Sequence, residues 1–198
     1  MENLLNPENY LPSQLMGAAL IICLIILWIA LRRRAGQSVE GKLRKASCDI
    51  LLDILIPDGD DSEIHVQYAL LSPRGVIIVD VRDVIGHVFG SDAMEEWTVL
   101  SDRRRFTFSN PQHALYDRMA AVRRLLPDVP VEGFVAFTNR AKFTKGQPTN
   151  VIMLDQLVEE LKHEKKAMPI DSLDEFYPQW DQLRNEAVVT QVGQLLQK

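Results

Sequence analysis

The chain has 198 residues, 46% of them hydrophobic and 25% charged, a balance that excludes a disordered acidic tail, a collagen-like repeat and a disulfide scaffold. Its 22 basic and 27 acidic residues leave a formal charge of −5, which argues against a general basic coat for nucleic acid but allows a local basic site.

The apolar residues are unevenly spread. Leu15 to Leu31 (LMGAALIICLIILWIAL) is an unbroken run of 17, enough at about 1.5 Å per residue to cross a hydrocarbon core. Glu2 and Glu8 precede it and Arg32, Arg33 and Arg34 follow, the reverse of the charge order in a cleaved signal peptide. The run therefore reads as a retained transmembrane helix, with Trp28 near the interface, the short N-terminus (1–14) outside and the rest of the chain in the cytoplasm. A helix buried in a soluble core is the alternative, and it would need apolar enclosure on every side. Residues 32–45 read as a basic juxtamembrane linker running into a short helix.

Asp49 to Pro57 (DILLDILIP) predicts a strand that Pro57 closes, Asp58-Gly59 a turn, and Glu63 to Leu71 the return strand of a hairpin. Asp58, Asp60, Asp61 and Glu63 crowd this turn, but DGDDSE lacks the alternating oxygen ligands and later glycine of a calcium loop. Ser72-Pro73-Arg74-Gly75 breaks the pattern, and Val76 to Val81 (VIIVDV) resumes it as a central strand. Asp80 is the anomaly there. A carboxylate amid such a strand must be hydrogen-bonded, paired or metal-bound to offset its desolvation. Arg82, two residues on, points to the same face, so the choice lies between a plain Asp80–Arg82 ion pair and a functional site.

Gly86 and Gly90 in GHVFG lack the third glycine and helix start of a dinucleotide loop; they read as a turn or bulge, and no nucleotide cofactor is indicated. Trp97 to Leu100 and Arg105 to Phe108 predict a second hairpin around Ser101-Asp102-Arg103. Asn110-Pro111 supplies an N-cap and a first-turn proline. Leu115, Met119, Val122 and Leu126 then recur at helical spacing, with Arg118 and Arg123 on other faces and Pro127 as the stop. Val131 to Thr138 is the next buried strand, Asn150 to Met153 a short one, and Leu154 to Lys165 an amphipathic helix with Leu157, Val158 and Leu161 inward. Beyond a Met168-Pro169 break, Leu173, Phe176, Trp180, Leu183, Ala187 and Val188 repeat at three- and four-residue steps, a helix that either docks on the domain or pairs with a second copy. Cys23 and Cys48 form no CxxC pair, the four histidines (His65, His87, His113, His163) show no metal spacing, and no serine sits in a nucleophile elbow. A reducing compartment fits this cysteine usage.

The strand-turn-strand SPRGVIIVDVRD, the following GHVFG with Trp97 downstream, the helix-opening Asn110-Pro111, and VEGFVAFTNRAKF before a helix together resemble the nuclease-related domain (NERD) family of bacterial proteins, over roughly Ser38 to Leu161. The resemblance implies a restriction-endonuclease-like α/β fold, a mixed central sheet with flanking helices, preceded here by one transmembrane helix. It also implies a magnesium-dependent phosphodiester site. In that family an aspartate precedes the SPRG-like turn, a Glu-x-Lys follows it, and a glutamate stands on the first helix. Counting back from Gly75, the aspartate position falls on Gln67 and its histidine neighbour on Tyr68. Asp80 and Arg82 stand where Glu and Lys are expected, Glu40 matches the helix glutamate, and the glutamine that follows Asn-Pro falls on Ala114.

Magnesium at a phosphodiester needs hard anionic oxygens, and a neutral amide binds it more weakly. Gln67 removes a charge, Asp80 keeps a weak metal ligand, and Arg82 keeps positive charge without the ability to act as a base. Phosphate binding is less damaged, because Arg82 can grip a phosphate in two-pronged fashion and Arg103, Arg104 and Arg105 add attraction, although that triplet equally suits a solvated turn. The expected organisation is an outer N-terminus (1–14), a span (15–31), a linker (32–45), a nuclease-related domain (46–166) and a C-terminal helical segment (167–198). Three readings follow: a membrane-tethered nucleic-acid or phosphate-binding module with impaired hydrolysis, a working magnesium-dependent nuclease, and a membrane-anchored interaction scaffold. The first is favoured, with the bilayer as partner through residues 15–31, nucleic acid as ligand, a second copy as partner through the C-terminal helix, and magnesium only if the site is catalytic. The expected location is the bacterial cytoplasmic membrane. A reporter fused after Lys198 is expected to give a cytoplasmic signal; a signal from the outer side would reverse the topology.

Overall fold

A computed structural model of the chain describes residues 38–59, 62–102, 104–167 and 173–196, with backbone alone for 188–196. The chain forms two compact units, 1–42 and 43–198. The predicted membrane span and most of the linker lie outside the described residues; among the described residues no helix is long and apolar enough to cross a membrane. Of the first unit the structure describes 38–42, the opening of helix α1 (Val39–Ala46), where the Ser38 hydroxyl accepts the Gly41 amide at 3.1 Å as an N-cap does.

In the second unit the alternating apolar runs become strands at nearly the expected bounds. Strands β1 (Asp49–Pro57), β2 (Glu63–Ser72) and β3 (Gly75–Arg82) form an antiparallel meander, and β7 (Val131–Phe137) and β9 (Val151–Met153) extend it in parallel, in the order β1-β2-β3-β7-β9. Gly75 makes the β2–β3 turn possible. Its φ is +117°, and a Cβ there would stand 2.2 Å from the Pro130 carbonyl oxygen, which instead accepts the Val76 amide at 2.9 Å.

Between β3 and β7 the chain builds a second sheet, which the sequence reading had only in part. Strands β4 (Gly86–Phe89), β5 (Glu96–Leu100) and β6 (Arg105–Ser109) are joined by the two-residue β8 (Ala141–Lys142), in the order β6-β5-β4-β8. The GHVF segment, expected as a turn or bulge, is therefore a strand: Val88 faces inward and pairs with Val99 of β5. The two sheets share one core at Trp97 of β5 and Phe137 of β7, whose rings stack 6.3 Å apart at 18°.

Helix α2 (Pro111–Leu125) begins where Asn110-Pro111 predicts, with the Asn110 side chain accepting the Gln112 amide. Leu115, Met119 and Val122 are buried against the large sheet. Gly133 of β7 lets the helix lie close, since a Cβ there would stand 2.4 Å from Met119 Sδ. Helix α3 (Leu154–Ala167) buries Leu157, Val158 and Leu161 as expected. Cys48 is a free, half-buried thiol whose pKa burial pushes up, against the opposing pull of Lys165.

The last helix, α4 (Tyr177–Leu196), lies on β1 of its own chain. Leu173, Trp180, Leu183 and Ala187 are buried there, Trp180 Nε1 donates to Asp49 Oδ2 at 2.9 Å, and Arg184 pairs with the same oxygen at 2.6 Å. These four side chains are thus engaged within one chain, as the docking alternative expects. Trp180→Ala is expected to destabilise the domain by about 3–5 kcal/mol, read as a lowered urea midpoint with no change in sedimentation.

Candidate functional site

Six successive residues of β3, from Gly75 to Asp80, are buried, and the last is the carboxylate. Asp80 is 4% exposed. Its side chain leaves the sheet on the side of Val76 and Ile78, the side that α2 covers. There Arg118 Nη1 donates to Asp80 Oδ2 at 2.8 Å, and Arg118 Nε donates to the His65 carbonyl at 2.6 Å. One guanidinium thus ties α2 to both β2 and β3. The sequence reading placed Arg118 on another helix face, but at three residues after Leu115 and four before Val122 it lies along the same stripe. That spacing was the available signal.

Arg82, the expected ion-pair partner, is the weaker one: its Nη2 stands 3.9 Å from Asp80 Oδ2 and its side chain is 41% exposed. Its Nε is buried without a hydrogen-bond partner. Gln67 lies opposite Asp80, one step beyond the Tyr68–Val79 pair. Its Oε1 accepts the Val81 amide at 2.8 Å, so this side chain stands in for the main chain just where β2 and β3 part. Asp83, next after Arg82, accepts Thr138 Oγ1 at 2.6 Å and Arg140 Nε at 2.7 Å, which fixes the strand end to the β7–β8 turn.

Gln67, Asp80 and Arg82 therefore come together, joined by Arg118. Glu40 stands in the first turn of α1, in the first unit. Arg104 and Arg105 are exposed at the β5–β6 turn, where Ser101 N donates to the Arg104 carbonyl at 2.9 Å; Arg103 lies outside the described residues. Among the described residues no hydrogen bond or ion pair joins them to Asp80. No group of three or more His, Cys, Asp or Glu side chains able to hold a metal occurs among the described residues either. A separate cleft of about 540 Å³ between α2 and β7, lined by Tyr116, Arg123 and Phe134 among others, does not include Asp80.

A polar network centred on the buried Gln112, with no signal along the sequence, sets the start of α2. Gln112 is 1% exposed, and its Nε2 donates to Asp92 Oδ1 at 2.7 Å and to the Thr149 carbonyl at 2.6 Å. Gln112, directly after Asn-Pro, thus does the bridging, where the family resemblance points to position 114, an alanine. Asp92 also accepts from Thr149 N and Oγ1.

The profile of the nuclease-related domain matches residues 30–138, a stretch that holds β1 to β7 and with them Gln67, Asp80, Arg82 and Arg118. The chain belongs to the nuclease-related domain family. An uncharacterized protein of Bacillus anthracis is 23% identical over 109 residues, 52% of this chain and 51% of that protein; the chain spans about half the length of this relative. No solved structure matches.

Within this nuclease-related domain, the hydrogen bonds from Gln112, then those from Thr149, hold the Asp92 carboxyl below its usual range. A depressed folded-state pKa contributes stability that is full above the unfolded value of about 4 and is lost as pH falls through the folded value. Asp92→Asn is therefore expected to lower the melting temperature at pH 7 and to lessen its further fall below about pH 4. Parallel melting curves for the two proteins across that range would discount the network.

Proposed function

We propose that this nuclease-related domain binds phosphodiesters at the Asp80 site with little or no hydrolysis, and that it is tethered to a membrane as it does so. The observation that carries the reading is the 2.8 Å bond between Arg118 and Asp80: the cation that neutralises the strand carboxylate is a side chain. Magnesium asks for a near-octahedral set of hard oxygens at about 2.0–2.1 Å. Asp80 offers an oxygen already bonded to Arg118, the Gln67 oxygen is engaged by the Val81 amide, and Arg82 cannot release a proton to serve as a base. The donors present do not fit the ion.

Anion binding suits the same groups. Because Arg118 neutralises Asp80, Arg82 is left loosely paired, with a buried unpartnered Nε and an outer edge open to solvent. A planar fork in that state can donate to two oxygens of one phosphate. The antiparallel β1–β3 meander continued by parallel β7 and β9 supports a restriction-endonuclease-like lineage, and the apolar run 15–31 followed by three arginines supports a single-pass anchor with the domain on the cytoplasmic side. Nucleic acid is the inferred ligand class.

Titration of the full chain in detergent with magnesium or manganese is expected to show no saturable binding, and DNA and RNA substrates are expected to survive incubation. Gln67→Asp combined with Arg118→Gln restores one carboxylate and releases the other, so metal affinity should rise about tenfold or more. Robust metal-dependent cleavage by the unmodified protein, lost in Asp80→Ala, would overturn the reading.

A further inference from the structure

The small sheet buries one face, and among the described residues nothing covers the other. Its pairing register assigns the side chains, because directly opposed residues share a face. Val88, Trp97, Val99 and Phe108 point to the core. On the other face Lys142, His87, Leu100 and Arg105 form one row across all four strands, and Phe89, Thr98 and Thr107 form the next. Each of these seven is exposed or half-buried.

Two properties of this face point to its occupant. Strands lie about 4.8 Å apart, so Lys142 and Arg105 bracket a row of about 14 Å, while Lys145 places its ammonium 6.0 Å from the Phe89 ring centroid. Three cations thus share a face whose one outward carboxylate among the described strand residues is Glu96, at the far end of β5, in a chain of net charge −5. The second property is the pair of flat side chains. His87 and Phe89 sit on alternate positions of β4, about 6.6 Å apart along the strand, with Thr98 and Thr107 in the row of Phe89.

We propose that this face is a platform for single-stranded nucleic acid, with bases stacking on Phe89 and His87 and phosphates held by Lys142, Lys145 and Arg105. Stacking on exposed aromatic rings requires unpaired bases, which a duplex does not offer. An anionic bilayer fits less well, because the centre of the face carries threonines and Leu100 is the one aliphatic side chain among its described strand residues. The platform shares no residue with the Gln67, Asp80, Arg82 and Arg118 cluster, so it stands or falls separately from the reading of that site.

The test is fluorescence anisotropy of a labelled oligothymidine of about 20 nucleotides with the full chain in detergent and EDTA, which suppresses any cleavage. Phe89→Leu keeps the apolar bulk and removes the ring, and is expected to weaken binding about tenfold. Arg105→Glu with Lys142→Glu should weaken it further and flatten the slope of log K against log salt by about 1.4. Lys166→Glu, on the exposed side of α3, should leave it as it was, and circular dichroism should show all variants folded. A strand carrying iodouracil should crosslink to the peptide containing His87 and Phe89. Wild-type affinity in both sheet variants, equal loss in Lys166→Glu, abolition by Arg82→Ala alone, crosslinks elsewhere, or binding to phosphatidylserine vesicles in place of the oligonucleotide would each overturn the platform.

Discussion

A carboxylate on a buried strand has to meet a cation or surrender its charge, and much of this domain is arranged around how Asp80 meets Arg118. Their 2.8 Å bond joins the end of β3 to the middle of α2, and the second bond from Arg118, to the His65 carbonyl, brings in β2. Such a pair is weak support for stability, since an apolar replacement of the same shape is often neutral or better; losing one partner alone is costly, because the other charge is left buried. The arrangement is thus better explained by what it holds in place than by the stability it adds. It holds Arg82 beside a neutralised carboxylate, with part of its guanidinium open to solvent.

For that bond to form, α2 must lie at the right height and rotation on the sheet. Gly133 admits Met119 closely against β7, and Leu115 and Val122 bury the rest of the stripe. At its start the helix is tied by the Asn110 cap and by Gln112, which reaches both Asp92 and Thr149. Polar bonds at one end and apolar contact along the length together fix the position of a side chain seven residues into the helix. A guanidinium on a long flexible stem then finds its partner without many alternative rotamers.

The two sheets divide the work. The large sheet carries the buried charge and needs helices on it; the small one needs cover on only one face, as antiparallel sheets often do. Trp97, Phe108 and Phe137 join them, with the Trp97 and Phe108 rings edge to face at 6.1 Å. With the core face of the small sheet filled in this way, its other face carries exposed and half-buried side chains.

The sequence alone marked most strands and helices of the folded unit, though not β4 or β8, because a period of two residues or of 3.6 is a local property that survives without knowledge of neighbours. Pro57, Asn110-Pro111 and Pro127 marked element ends through backbone chemistry that acts within a few residues. It also determined that Asp80 needed a partner, since desolvation penalises any unpaired carboxylate on such a strand. It could not say which partner. Arg82 was near in sequence, but Arg118, 38 positions away, was nearer in space, and that depended on the angle at which α2 crosses the sheet. Gln112 and Thr149, 37 positions apart, and the two-residue β8 that completes the small sheet were hidden for the same reason. Hydrogen bonds and ion pairs between distant segments leave no periodic trace along the chain, and only the packing of elements brings their atoms within reach.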